Sequence, residues 1–274
     1  MKASALAGRV TWTRYWQWMR KYHRFEIAPG GIERILRCAG PALIVGYHGK
    51  PGARDLVMLQ TLLLQDYGER THAITNDLVF GIPGLRGLAE GMQLVSRDRA
   101  AIEKVVRRGE KLVVTPGGIA EGWGAERYRV RWKSLGYLRL AARHKLPIIL
   151  VAGVGVDEAF LPLYDAYRFW SPRWKGRHRA GKLPEGAGLW LGLGPTGLWP
   201  LTPPFPVRIV QYIDPPLYLE DQGIRSADDL EGLARVHRSL AHRTQQILDE
   251  GRDLARARVI QKKELTWLDQ VTNR

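Results

Sequence analysis

His48 and Asp55 could exchange a proton, and both lie just past an apolar run, with six residues between them. Ala42-Leu43-Ile44-Val45-Gly46-Tyr47 reads as a buried strand, residues 48–55 as a tight loop, and Leu56 to Leu64 as a helix. A histidine at a strand end and an aspartate returned by the next loop can form a general base and its orienting carboxylate. The imidazole titrates near neutrality, at about 6.5, and the carboxylate fixes its tautomer and stabilises the imidazolium. Further along, Leu112-Val113-Val114-Thr115 runs into Pro116-Gly117-Gly118-Ile119-Ala120-Glu121, a second strand ending in a glycine turn and a carboxylate. Backbone amides in such a turn can receive a developing oxyanion. Each residue also has a plainer reading. Asp55 stands where it would cap the following helix, Gly117 and Gly118 where they would only reverse the chain, and Glu121 where it would be a solvated loop acid.

Positioning these groups takes alternating strands and helices. Residues 10–38 read as two helices broken at Ala28-Pro29-Gly30-Gly31. Strands follow near 42–47, 71–75, 92–96, 111–115, 147–153 and 207–212. Helices fall near 56–66, 84–90, 98–109 and 133–144, and a long charged helix runs from a Ser226 cap to about Arg258. This pattern predicts an α/β fold, a mainly parallel mixed sheet flanked by helices, with an N-terminal amphipathic helical extension. The expected division is an extension over 1–39, a main domain over 40–258 with an irregular excursion near 165–204, and a tail over 259–274. Strands that deliver polar groups from their carboxyl ends open onto one crevice. Gly192-Leu193-Gly194-Pro195-Thr196-Gly197 matches the dinucleotide fingerprint in spacing, but Pro200, Pro203 and Pro204 forbid the helix it must open.

Between the two strand-end motifs lies Gly91-Met92-Gln93-Leu94-Val95-Ser96-Arg97. His…Asp, then Gly-x-x-Leu-Val-x-Arg, then Pro-Gly-Gly-x-x-Glu resembles the glycerolipid (lysophospholipid) acyltransferase superfamily over roughly residues 40–220. The Pro-Gly-Gly form looks most like its diacylglycerol-acyltransferase-like branch. One departure is visible: the family usually places four or five residues between His and Asp. The resemblance implies transfer of a fatty acyl group from an acyl-CoA or acyl-carrier-protein thioester to a lipid hydroxyl. His48 and Asp55 would then be catalytic, and Gly91, Arg97, Pro116, Gly117, Gly118 and Glu121 would bind substrate, with Glu121 either holding the acceptor or bracing the motif. Arg97 suits a phosphate on the acceptor, although it could instead pair with Asp98.

Composition bounds the rest. The chain has 274 residues, is 45% hydrophobic and carries a formal net charge of +15. No apolar run approaches the roughly 18 residues of a membrane-spanning helix, and the amino terminus is too poor in apolar residues for a secretory signal. Cys38 is the single cysteine, so no internal disulfide forms and a reducing compartment is expected. The remaining histidines have no metal-site spacing, so no metal or cofactor is expected beyond the acyl thioester as co-substrate. The positive charge fits an anionic membrane, an acyl carrier protein or nucleic acid; no nucleic-acid-binding motif appears, so nucleic acid is not the expected partner. Trp12, Tyr15, Trp16 and Met19 share one helical face among Arg14, Arg20 and Lys21. Together with Trp170, Trp174 and Trp190 they suggest membrane contact, as a peripheral or monotopic protein on the cytoplasmic face, whereas docking on the domain would suit the same face. A non-catalytic lipid- or anion-binding protein is the competing reading.

Overall fold

Leu43–Gly46 is buried along its whole length and forms the central strand β2. In the computed structural model, which describes residues 3–50, 52–75, 80, 93–122, 126–163, 189–199 and 201–272, β2 lies between β5 (Lys111–Val114) and β6 (Ile148–Val154), parallel to both. β3 (Thr71–Thr75) and β4 (Leu94–Ser96) extend the parallel set beyond β5. On the other side β11 (Val210–Ile213) runs antiparallel to β6, and β1 (Glu26–Ile27) pairs with β11. The order is β1-β11-β6-β2-β5-β3-β4, a mainly parallel mixed sheet flanked by helices, as the alternating pattern predicts.

Period-two alternation sends successive side chains to opposite faces. Leu43 and Val45 join a core with α4 (Arg99–Arg107), α6 (Gly136–His144) and α7 (Leu230–Thr272). Ala42 and Ile44 join the opposite core with α2 (Gly31–Leu36) and α3 (Arg54–Tyr67). Asp98 caps α4 by accepting from the Ala101 N–H at 3.2 Å, so its carboxylate serves the helix start.

Several expectations shift. The last strand begins at Val210 rather than Val207, and Glu26–Ile27 of the N-terminal extension supplies an edge strand that the sequence pattern did not indicate. α7 continues to Thr272 instead of ending near Arg258, and Asp229, not Ser226, accepts from the first-turn Gly232 N–H. The false dinucleotide fingerprint is a hairpin of β9 (Leu193–Gly194) and β10 (Gly197–Leu198). The short helix read at 84–90 lies outside the described residues.

The amphipathic face of α1 (Ala3–Tyr22) is turned inward. Trp16 and Met19 are 5% and 0% exposed and pack with Met58, Val156 and Ile209, with Trp12 alongside. Their assignment to membrane contact is therefore corrected: burying the stripe against α3 removes apolar area from water without a bilayer. Trp18 and Tyr15 are the aromatic residues that α1 exposes.

Candidate active site

Register places three strand ends together. Val45 of β2 pairs with Val114 of β5, and Gly46 with Val151 of β6. The loop carrying His48, the turn Pro116-Gly117-Gly118 and the segment after Val154 therefore open at one edge of the sheet. His48 is half-buried, and its Nδ1 lies 3.3 Å from the Gly49 carbonyl oxygen. The ring rests against Gly122, where a methyl group would sit 2.2 Å from Nδ1. No larger residue leaves that space. Burial, aided by the nearby Lys50 charge, lowers the imidazole pKa, so the ring is neutral near physiological pH. With Nδ1–H donating to the Gly49 carbonyl, Nε2 carries the lone pair of a base.

Glu121, in the short helix α5 (Gly118–Gly122), is fully buried. Its Oε2 accepts from the His48 N–H at 2.8 Å and its Oε1 from the Arg131 N–H at 2.8 Å. The side chain folds back over Gly117, where a Cβ would meet it at 2.5 Å. Burial raises its pKa to about 7, against the pull of both hydrogen bonds and of Lys50. Backbone donors occupy both oxygens, so Glu121 braces the His48 loop, the bracing role of the two that the resemblance implies, and has no oxygen left over for an acceptor. Pro116, Gly117 and Gly118 stay partly exposed beside the loop. The Gly118 N–H is taken by the Thr115 carbonyl at 3.0 Å and is not a free oxyanion donor.

Asp55 is brought close to the site but not onto the ring. As the second residue of α3, its fully buried carboxylate is carried behind Gly49 and against Gly153, where methyl groups would sit 2.7 and 2.3 Å from its oxygens. Neither oxygen makes a hydrogen bond of good geometry, although the Asp55 and Leu56 N–H groups and the Gln211 side chain lie close enough to pull its pKa down, and no hydrogen bond among the described residues joins Asp55 to His48. Burial, then repulsion from Asp157, raises its pKa to about 7. The backbone carbonyl of Gly49 thus takes the ring contact expected of Asp55. Next to it, Arg54 is buried over the Phe160 ring, with Nη2 2.8 Å from Nε2 of His23. Desolvation holds His23 down at about 3, neutral and able to accept.

Arg97 is exposed in the bend after β4, three strand positions from β2. Gly91, Trp170 and Trp174 lie outside the described residues. Trp190 is half-buried, and its ring faces Lys50, whose Nζ is 5.4 Å from the ring centroid, and the Arg127 guanidinium, at 5.9 Å. Sequence reasoning passed over Lys50, which is 1% exposed with its pKa lowered by desolvation to about 8. It also passed over Asp157, the third acid to follow one of these strand ends. The available signal was the same as for the other two: a carboxylate just past an apolar strand, at Gly155-Val156-Asp157.

Among the described residues no group of three or more His, Cys, Asp or Glu side chains forms a metal site, and no helix is long and apolar enough to cross a membrane. No protein-family model matches the chain. Over 146 residues it is 30% identical to a Gallus gallus protein named "DGAT1/2-independent enzyme synthesizing storage lipids". The match spans 53% of this chain and 42% of that relative, less than half of the latter's length. Among solved structures it is similar to the 1-acyl-sn-glycerophosphate (LPA) acyltransferase PlsC from Thermotoga maritima, with a TM-score of 0.46 and 15% identity over 88% of this chain and 83% of that one.

Proposed function

We propose that this chain is an O-acyltransferase of the glycerolipid acyltransferase type. It would move a fatty acyl group from an acyl-CoA or acyl-carrier-protein thioester to the hydroxyl of a lysoglycerolipid or related lipid alcohol. The observation that carries the reading is a neutral His48 seated on Gly122, with Nδ1 on the Gly49 carbonyl, at the carboxyl edge of parallel strands. Nε2 takes the hydroxyl proton as the alcohol oxygen attacks the thioester carbonyl. The new C–O bond forms, the C–S bond breaks, and the imidazolium returns its proton to the departing thiolate. Asp55 assists from behind Gly49 as a nearby charge, stabilising the transient imidazolium through space. The Gallus gallus relative, named for storage-lipid synthesis, supports a lipid acceptor. The Pro116-Gly117-Gly118 turn favours the diacylglycerol-acyltransferase-like form, and Arg97 a phosphate-bearing acceptor. Membrane contact, as a peripheral or monotopic protein on the cytoplasmic face, would use the exposed Trp18, Leu198, Leu201 and Phe205 together with the net positive charge.

Incubation with labelled acyl-CoA and a mixed lipid extract tests this. New ester should appear, and His48→Ala should reduce its formation by about 10³-fold or more while leaving the fold intact. Near-normal turnover by His48→Ala would rule out the base. A non-catalytic lipid- or anion-binding protein is the reading that the missing His48–Asp55 hydrogen bond favours; it yields bound lipid and no ester.

A further inference from the structure

We infer that Asp157 is a positioning residue for His48: its carboxylate latches the His48 loop to residues 128–131 and, through Gln245, to the helix α7. The inference rests on the proposed base role of His48. Asp157 is fully buried, directly after the 3₁₀ turn begins at Val156. Its Oδ1 accepts from the Lys50 N–H at 2.8 Å, and its Oδ2 accepts from the Tyr47 hydroxyl at 2.7 Å and the Tyr128 N–H at 2.9 Å. Residues on both sides of His48 are therefore tied to one carboxylate. Glu121 ties His48 itself to Arg131 in the same way. Two buried acids thus hold residues 47–50 against residues 128–131.

The far side of the latch is itself held under strain. Tyr128 adopts φ +54°, a left-handed conformation that a bulky residue keeps only when its surroundings over-determine it. Here they do. Its N–H is shared between Asp157 and the Tyr47 hydroxyl, its carbonyl accepts from Gln245 Nε2 at 2.9 Å, and its hydroxyl accepts from the Gly155 N–H at 2.8 Å while donating to Glu158. Gln245 Oε1 also accepts from the Val130 N–H at 3.0 Å, so one α7 side chain brackets the strained residue. Strained backbone concentrates where geometry serves function. The group that this geometry serves is the imidazole at the centre of the latched loop.

Asp157→Asn tests the latch: an amide keeps the shape and one accepting oxygen, but it turns an NH2 group towards either the Lys50 N–H or the Tyr47 and Tyr128 donors, so at least one of the three bonds is lost. The rate constant kcat should fall about 10- to 100-fold with KM changed less than about threefold, the signature of a misplaced reacting group. Amide hydrogen exchange at His48 and Lys50 should accelerate about tenfold or more in the folded protein. Tyr47→Phe removes one donor at constant packing and should shift both readouts the same way by less, which keeps the test open if Asp157→Asn does not fold. Unchanged kcat per folded molecule and unchanged exchange at His48 would overturn the inference, even if the variants melt earlier. A wild-type protein that makes no ester but protects His48 and Lys50, with protection lost in the variants, would sink the acyl-transfer reading and leave the latch standing.

Discussion

Asp55 should make the protein less stable as pH rises through neutrality. Its carboxylate is fully buried, faces the backbone of Gly49 and Gly153, and makes no hydrogen bond of good geometry; the nearby Asp55 and Leu56 N–H groups and Gln211 offset burial only in part. Burial lifts its pKa from 3.8 to about 7. A folded-state pKa above the unfolded value means that the native state binds more protons between the two. Stability therefore falls as pH climbs through that window and levels off above it. At about 1.36 kcal/mol per unit, the Asp55 contribution alone removes about 2.5 kcal/mol of stability between about pH 5 and pH 8. Asp55→Asn cannot ionise, so that share of the slope should vanish. The new amide N–H groups cost about 1–2 kcal/mol if they find no acceptor. The variant should thus match or fall slightly below wild type at about pH 5 and exceed it at about pH 8. Urea denaturation across this range measures the difference directly. If Asp55→Asn loses stability relative to wild type as pH rises, attraction to a cation, either the neighbouring Arg54 or His48, outweighs the cost of burying the carboxylate, and burial does not set its pKa.

Two further outcomes follow from close contacts. Gly122→Ala places a methyl group 2.2 Å from the His48 ring, so the ring must move. Acyl transfer should fall about 100-fold, and an active Gly122→Ala enzyme would remove the imidazole from the mechanism. On α1, Trp16→Ala should cost about 3–5 kcal/mol in chemical denaturation, because Trp16 packs with Met19 and Met58. Trp18→Ala should change stability by less than about 1 kcal/mol, since Trp18 is 46% exposed; the reverse ranking would mean that α1 turns its other face to the domain.

The parts of the fold legible in sequence were those set by local periodicity. Leu43–Gly46 and Ile148–Val154 are unbroken apolar runs, and Lys111–Val114 is apolar after its first residue, because parallel central strands are buried on both faces. Short edge pairings were not legible, because Glu26–Ile27 is a strand only through its pairing in register with Val210 and Gln211, which a two-residue pattern cannot announce. The same division holds at the site. His48, the glycine turn and Glu121 could be placed at strand ends from spacing, but their partners could not, since hydrogen-bond direction depends on how each loop turns. Asp55 shows this best. The longer loop puts Ala53 in the left-handed region at φ +52° and makes Asp55 part of α3, so its carboxylate passes behind Gly49 instead of reaching the ring.

The site divides its acids by what surrounds them. Glu121 and Asp157 are buried with backbone N–H donors on both oxygens, an arrangement that repays desolvation and fixes a loop. Asp55 is buried with only weak help from the Asp55 and Leu56 N–H groups and Gln211, which leaves its pKa raised, an arrangement that stability alone does not explain. A protein selected only to hold this fold would gain from Asn or an apolar residue at position 55, whereas one that must stabilise a transient imidazolium next to Gly49 gains from a charge kept close and unquenched. The two demands separate in one variant: Asp55→Asn should be the more stable protein at alkaline pH and the poorer acyltransferase. If it proved both more stable and equally active, Asp55 would have no part in the chemistry, and the Gly49 carbonyl alone would orient His48.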